Sequence, residues 1–274
     1  MSKFASFAEY PAGSLRGAEA ALLTAWATLH RYHDELVLVG GLAVKYLTKP
    51  STGLLPGPVT MDVDLGVALG AEGGQYGMIA DDLIGQGFKR AENRRFARSF
   101  EGMSLYIDFL TEHPTKTKGT TDVEGIDAGV FPGVDRALAT RQNVLIDGKD
   151  LLGVAHQASV AVAGIGSLLV LKLNAFDDRQ QSKDAYDVLL ATSRYVNGPQ
   201  EAIKSFQAEG KAGNRGYERA ANALRRYFWE TDQSGPVRCA DFVLRGSGVG
   251  AELRERSRQI AEQMVTIGRA LLGG

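Results

Sequence analysis

Val59-Thr60-Met61-Asp62-Val63-Asp64-Leu65-Gly66 is the stretch from which the rest of this chain is read. In a β-strand alternate side chains share a face, so Asp62 and Asp64 point one way. Val63, Leu65 and Val67 then point the other way, into a core. Two carboxylates side by side repel each other unless a cation lies between them, which makes the pair a candidate Mg²⁺ site. The plain alternative is a solvated strand edge carrying two surface aspartates, since so short a pattern recurs by chance.

Working upstream, the apolar run Leu36-Val37-Leu38-Val39 ends in Gly40-Gly41. It reads as a buried strand turning sharply into a helix over residues 42–47, which stops before Pro50. Lys45 lies on that helix. Before it, Ser14 is placed to cap a helix reaching about Tyr32, with Ala18, Ala21, Leu22, Ala25, Trp26 and Leu29 on one face. Residues 49–58 hold three prolines and two glycines and read as a loop.

Working downstream, residues 70–77 read as a loop and 78–84 as a helix closed by Gly85 or Gly87. Residues 96–100 and 105–110 are strand candidates around a turn at Gly102. In the second, Tyr106, Asp108 and Leu110 share one face. Asp108 is therefore a third carboxylate in a run of strand formers, where a charge is costly to bury without a partner. Residues 111–143 read as weakly structured. Val144–Ile146 followed by Asp147-Gly148 is a hairpin signal, and residues 160–163 read as a last strand.

From Gly166 the apolar period becomes helical. In one unbroken helix Lys172, Arg179, Lys183 and Asp187 would fall on one stripe; a solvated face laced with ion pairs is the alternative. Helical periodicity continues over residues 201–208, 217–229, 237–244 and 252–272.

With 274 residues and 44% hydrophobic content the chain can bury one large core or two smaller ones. A net charge of −1 argues against a nucleic-acid coat or membrane-surface binder. Residues 199–274 carry 12 basic and 9 acidic side chains, so the helical part is mildly basic. The single cysteine, Cys239, excludes an intramolecular disulfide framework and fits a reducing cytoplasm. With it, four scattered histidines (His30, His33, His113, His156) do not suggest zinc. The N-terminus reads without a signal peptide, and no apolar run is long enough to span a membrane.

Strand–Gly40-Gly41–helix, then Asp62-x-Asp64, then Asp108 on a later strand resembles the DNA polymerase β-type nucleotidyltransferase superfamily. Lys172-Leu173-Asn174-Ala175-Phe176-Asp177-Asp178-Arg179 and Lys183-Asp184-Ala185-Tyr186-Asp187 resemble the K-L-x-A-x-x-x-R…K-D-x-x-D pattern of its AbiEii-like (MenT-type) group, toxins of type IV toxin–antitoxin systems. The likeness covers about residues 36–190. Gly41 stands where many members have serine, the gap from Gly41 to Asp62 is long, and Pro58-Val59-Thr60 replaces an arginine that often precedes the first aspartate.

The resemblance implies an α+β chain: a nucleotidyltransferase domain over residues 1–163, with a small mixed sheet and flanking helices, then an all-α domain over 164–274. It implies that Asp62, Asp64 and Asp108 hold two Mg²⁺ ions and are catalytic with Lys172 and Asp187. Gly40, Gly41, Lys45, Lys172, Arg179, Lys183 and Asp184 would bind the nucleotide. The implied reaction moves a nucleoside monophosphate from an NTP to an acceptor hydroxyl, with RNA or tRNA as acceptor, a cognate antitoxin as partner and the cytoplasm as location. The basic run Lys89, Arg90, Arg94, Arg95 and Arg98 would steer a phosphate backbone, or is a solvated surface. A protein or small-molecule acceptor and a non-catalytic nucleotide-binding relative are the alternatives. A Rossmann or Walker loop is excluded, because neither glycine pattern occurs.

Overall fold

The computed structural model describes residues 4–51, 55–69, 77–91, 95–123 and 125–274. Arg94 and parts of the loops expected at 49–58 and 70–77 lie outside them. The chain divides into two compact units, one built from Ala12–Tyr46 and Thr60–Gly164, the other from Met1–Pro11, Leu47–Val59 and Ile165–Gly274.

The first unit runs α1 (Ser14–Thr28), β1 (Leu36–Val39), α2 (Gly40–Leu47), β2 (Asp62–Val67), α3 (Gly77–Gly85), β3 (Lys89–Ala91), β4 (Arg95–Phe100), β5 (Met103–Thr111), β6 (Thr120–Val123), β7 (Ile126–Val130), α4 (Val134–Ala139), β8 (Gln142–Lys149) and β9 (Ala155–Val162). Its nine strands form one sheet in the order β3-β4-β5-β2-β1-β9-β8, with β7 joined to β5 and β6 to β7. β2 is antiparallel to β1 and parallel to β5. Val63, Leu65 and Val67 are completely buried, each contributing about 1.5–3 kcal/mol of apolar burial. Leu105, on the matching face of β5, packs against Gly17 of α1.

The expected α+β chain with a small sheet is corrected by this sheet. The chain is mixed α/β, with strands spread from residue 36 to residue 162. Strands β6 and β7 and helix α4 are not announced by hydrophobic periodicity, for physical reasons. β6 and β7 are short and rich in Asp, Gly and Thr, and their turn is fixed by Asp122, whose carboxylate accepts a hydrogen bond from Gly125 N–H at 3.1 Å. α4 has only six residues, and its N-terminal N–H groups of Gly133 and Asp135 donate to the buried Glu112 carboxylate. Asp147-Gly148 is not a turn but lies inside β8, paired with Gln157 and His156 of β9, and the glycine makes room for Leu23 of α1, which a Cβ would meet at 2.8 Å. The turn falls later, where Asp150 accepts hydrogen bonds from Leu152 and Val154 N–H. At the other end of the unit, Ser14 is the first residue of α1 and not its cap; Gly13, at φ 83°, precedes it.

In the second unit the elements are α5 (Ile165–Arg179), α6 (Ser182–Ser193), α7 (Pro199–Lys211), α8 (Tyr217–Tyr227), α9 (Ser234–Leu244) and α10 (Ala251–Leu271). The stripe expected along one helix is broken at Gln180, a non-glycine residue at φ 51°, and α5 and α6 pack against each other as a pair. α5 also crosses α7 so closely that a Cβ on Gly166 would lie 2.3 Å from Ser205 O. The 47–59 stretch is tied to α6 and the residues after it. Lys49 N–H donates to Arg194 O, Val196 N–H to Leu47 O, and the Tyr186 hydroxyl to the carbonyls of Pro56 and Gly57. No helix among the described residues is long and apolar enough to cross a membrane.

Candidate functional site

The strand unit brings Asp62, Asp64 and Asp108 onto one face of the sheet. Asp64 pairs directly with Asp108 across the parallel β2–β5 ladder, and Asp62 pairs with Tyr106. The Thr60 hydroxyl accepts a hydrogen bond from Asp62 N–H at 3.2 Å and fixes the entry into β2. Across the antiparallel ladder Asp64 faces Val39, the last residue before the Gly40 turn. Gly40 sits at φ 70°, and a Cβ there would lie 1.8 Å from Asp64 Oδ2. Only glycine lets the backbone of this turn lie against that carboxylate. No hydrogen bond to the Asp64 carboxylate is found among the described residues.

The other two carboxylates share a guanidinium. Arg95 donates from Nε to Asp108 Oδ1 at 2.8 Å and from Nη2 to Asp108 Oδ2 at 2.7 Å. Its Nη2 also lies 3.3 Å from Asp62 Oδ1, and its plane stands 4.3 Å from the Tyr106 ring centre. Burial and the neighbouring Asp64 and Asp62 charges push the Asp108 carboxyl up to about 6, against the pull of Arg95. All-oxygen donors of this kind suit a hard cation such as Mg²⁺. Among the described residues no three acidic or imidazole groups stand as a ready cage for a metal, and Arg95 places a positive charge next to Asp62 and Asp108.

Arg95 is the residue that sequence reasoning misplaced, as one of five surface cations. The signal for it was present. Glu101 and Gly102 both have positive φ, at 47° and 78°, and form the two-residue loop of a hairpin in which Phe100 faces Met103. Counting back from that pair puts Arg95 opposite Asp108. The rest of the basic run is divided: Arg98 donates to Gln86 O, Arg90 to Gly125 O, and Lys89 is exposed. Lys45 forms an ion pair with Glu19, which also accepts from the Tyr46 hydroxyl.

The helical unit gathers the second motif. Lys172 Nζ and Lys183 Nζ each donate to Asp187 Oδ2 at 2.6 Å, with all three side chains almost wholly buried. Burial alone would push the Asp187 carboxyl up, but the two ammonium groups outweigh it and hold it below the usual carboxylate range. Arg179 forms a bidentate pair with the fully buried Asp184, at 2.7 and 2.8 Å. Beyond its bond to Asp187, Lys172 keeps two N–H donors without a partner among the described residues.

No protein-family model matches the chain, and no curated protein is found to be similar to it.

Proposed function

We propose that the chain is a Mg²⁺-dependent nucleotidyltransferase that moves a nucleoside monophosphate from an NTP to an acceptor hydroxyl and releases pyrophosphate. The observation that carries this reading is the row Val39–Asp64–Asp108 across three strands, with the Asp64 carboxylate lying on the backbone of Gly40. A glycine turn opening a helix lets backbone N–H groups of Gly40 and Gly41 approach phosphate oxygens. Asp62, Asp64 and Asp108 are the residues that would hold the ions. Mg²⁺ bound there supplies charge stabilisation and lowers the pKa of an attacking hydroxyl.

Lys172 is the cation proposed to grip phosphate, supported by its two spare donors, and Asp187 fixes its Nζ. Lys183, Arg179 and Asp184 hold that arrangement in place, and Lys45 is a further candidate for the nucleotide. By the motif likeness to AbiEii-like toxins the acceptor is RNA, with tRNA the first choice, and a cognate antitoxin is the proposed partner in the cytoplasm. A non-catalytic nucleotide-binding relative is favoured by one observation: Arg95 already serves as counter-ion to two of the carboxylates.

The test is transfer of label from each α-labelled NTP, with Mg²⁺ and total cellular RNA, comparing wild type with Asp62→Ala/Asp64→Ala. Label in RNA that disappears in the variant is the expected result. Label in protein or a small molecule would change the acceptor, and NTP binding without transfer to any acceptor would overturn catalysis.

A further inference from the structure

Arg95 reaches its two carboxylates because the β4–β5 hairpin sets it directly across from Asp108, and the Tyr106 ring supports its plane. The guanidinium keeps its charge at any ordinary pH, so it leaves these acids only by being displaced. It is not sealed in: its side chain is 21% exposed and that of Asp108 24%. It can therefore swing away without opening the core on the Val63 and Leu65 face. Asp64, meanwhile, accepts no hydrogen bond among the described residues and presents a carboxylate to an arriving cation.

We propose that Arg95 is a built-in counter-ion that holds Asp62 and Asp108 in the metal-free protein and that a divalent cation must displace to bind all three carboxylates. This rests on the metal-site reading above. With Arg95 in place the three acids are partly neutralised; with it gone, like charges crowd one face of adjacent strands. A cation that binds only after the Arg95 pair opens has an apparent affinity reduced by the open fraction. Removing the guanidinium removes that reduction. Lysine at this position keeps a charge but loses the planar fork that grips Asp108 at both oxygens.

The experiment is titration of the full-length protein with Mn²⁺ alone, without nucleotide, following free Mn²⁺ by electron paramagnetic resonance. Wild type is compared with Arg95→Gln and Arg95→Lys. The expected result is Mn²⁺ binding about tenfold tighter in Arg95→Gln, with Arg95→Lys between it and wild type. Binding should vanish when Asp62→Ala/Asp64→Ala is added to either background. If Arg95→Gln does not fold, as read by circular dichroism, Arg95→Lys carries the comparison. Wild-type binding with no gain in the variants, or with a loss, would overturn the proposal and leave the metal site standing. Absence of binding in every protein would overturn both.

Discussion

On β2 and β5, two of three carboxylates share one guanidinium; on α5 and α6, two ammonium groups share one carboxylate oxygen. The sign in excess differs, and so does the access of water. Asp108 and Arg95 are about a quarter exposed, whereas Lys172, Lys183 and Asp187 are 6%, 1% and 1% exposed. Exposure decides what each cluster can do. A partly wet ion pair can exchange its partner for another at modest cost, because water screens the opened state. A sealed pair cannot, because an opened charge there has no solvent to turn to. The strand cluster is thus suited to exchanging cations, and the helix cluster to holding Lys172 at one point.

The strongest way to break this contrast is to remove one acid from each cluster. Asp187→Ala removes the acceptor that two buried ammonium groups share and should lower stability by about 3–5 kcal/mol, read as a lower urea midpoint at unchanged slope. Asp108→Asn leaves Arg95 near Asp62 in a partly solvated place and should change stability by about 1 kcal/mol or less. Equal losses in the two variants would mean that exposure does not separate the clusters. Between these lies Gly40→Ala. The left-handed backbone at Gly40 and the approach of Asp64 both oppose a Cβ, so a loss of about 1–3 kcal/mol is expected in the same unfolding measurement. A variant as stable as wild type would show that the turn and Asp64 move apart freely.

Much of the strand cluster was legible because its signals are local. Leu36-Val37-Leu38-Val39 before Gly40-Gly41 marks a strand and a turn, and the alternation around Asp62, Asp64 and Asp108 assigns each carboxylate a face. The sheet was read as too small because β6 and β7 are short and interrupt their few branched apolar residues with Thr, Asp and Gly, so their pairing is set by partner strands more than by composition. Arg95 was misread for a related reason: its role follows from register across a hairpin, which single-strand periodicity does not report. In the helical unit the residues of the motif were found, but their arrangement was not. Lys172 and Asp187 meet because the chain breaks at Gln180, and nothing in the helical period of residues 166–187 announces that break.

A smaller effect sharpens the contrast through pH. Asp108, raised to about 6, binds its proton more tightly folded than unfolded. Its contribution to stability is full below the ordinary carboxylate range and is lost as pH rises through about 6. Asp187 is depressed, so its contribution is present above that range and is lost as pH falls through its lowered value. Acidifying metal-free protein from pH 7 to pH 5 should therefore raise its unfolding temperature through Asp108, with no loss from Asp187. Asp108→Asn should flatten that rise and Asp187→Asn should retain it. A rise that survives in Asp108→Asn would assign it to another group.

The smallest expected change tests exposure within the helical unit alone. Arg219 of α8 joins Asp177 at 2.7 Å and Asp178 at 2.5 Å. On distance alone these bonds match those of Lys172 and Lys183 to Asp187. The difference is water: the Arg219, Asp177 and Asp178 side chains keep 27%, 19% and 27% of their surface. Arg219→Ala should then lower stability by about 1 kcal/mol or less, several times less than Asp187→Ala, in the same urea titration. If Arg219→Ala proved as damaging as Asp187→Ala, short contacts would outweigh burial in this protein. The strand cluster, with contacts just as short, would then be too tightly held for Arg95 to yield its place.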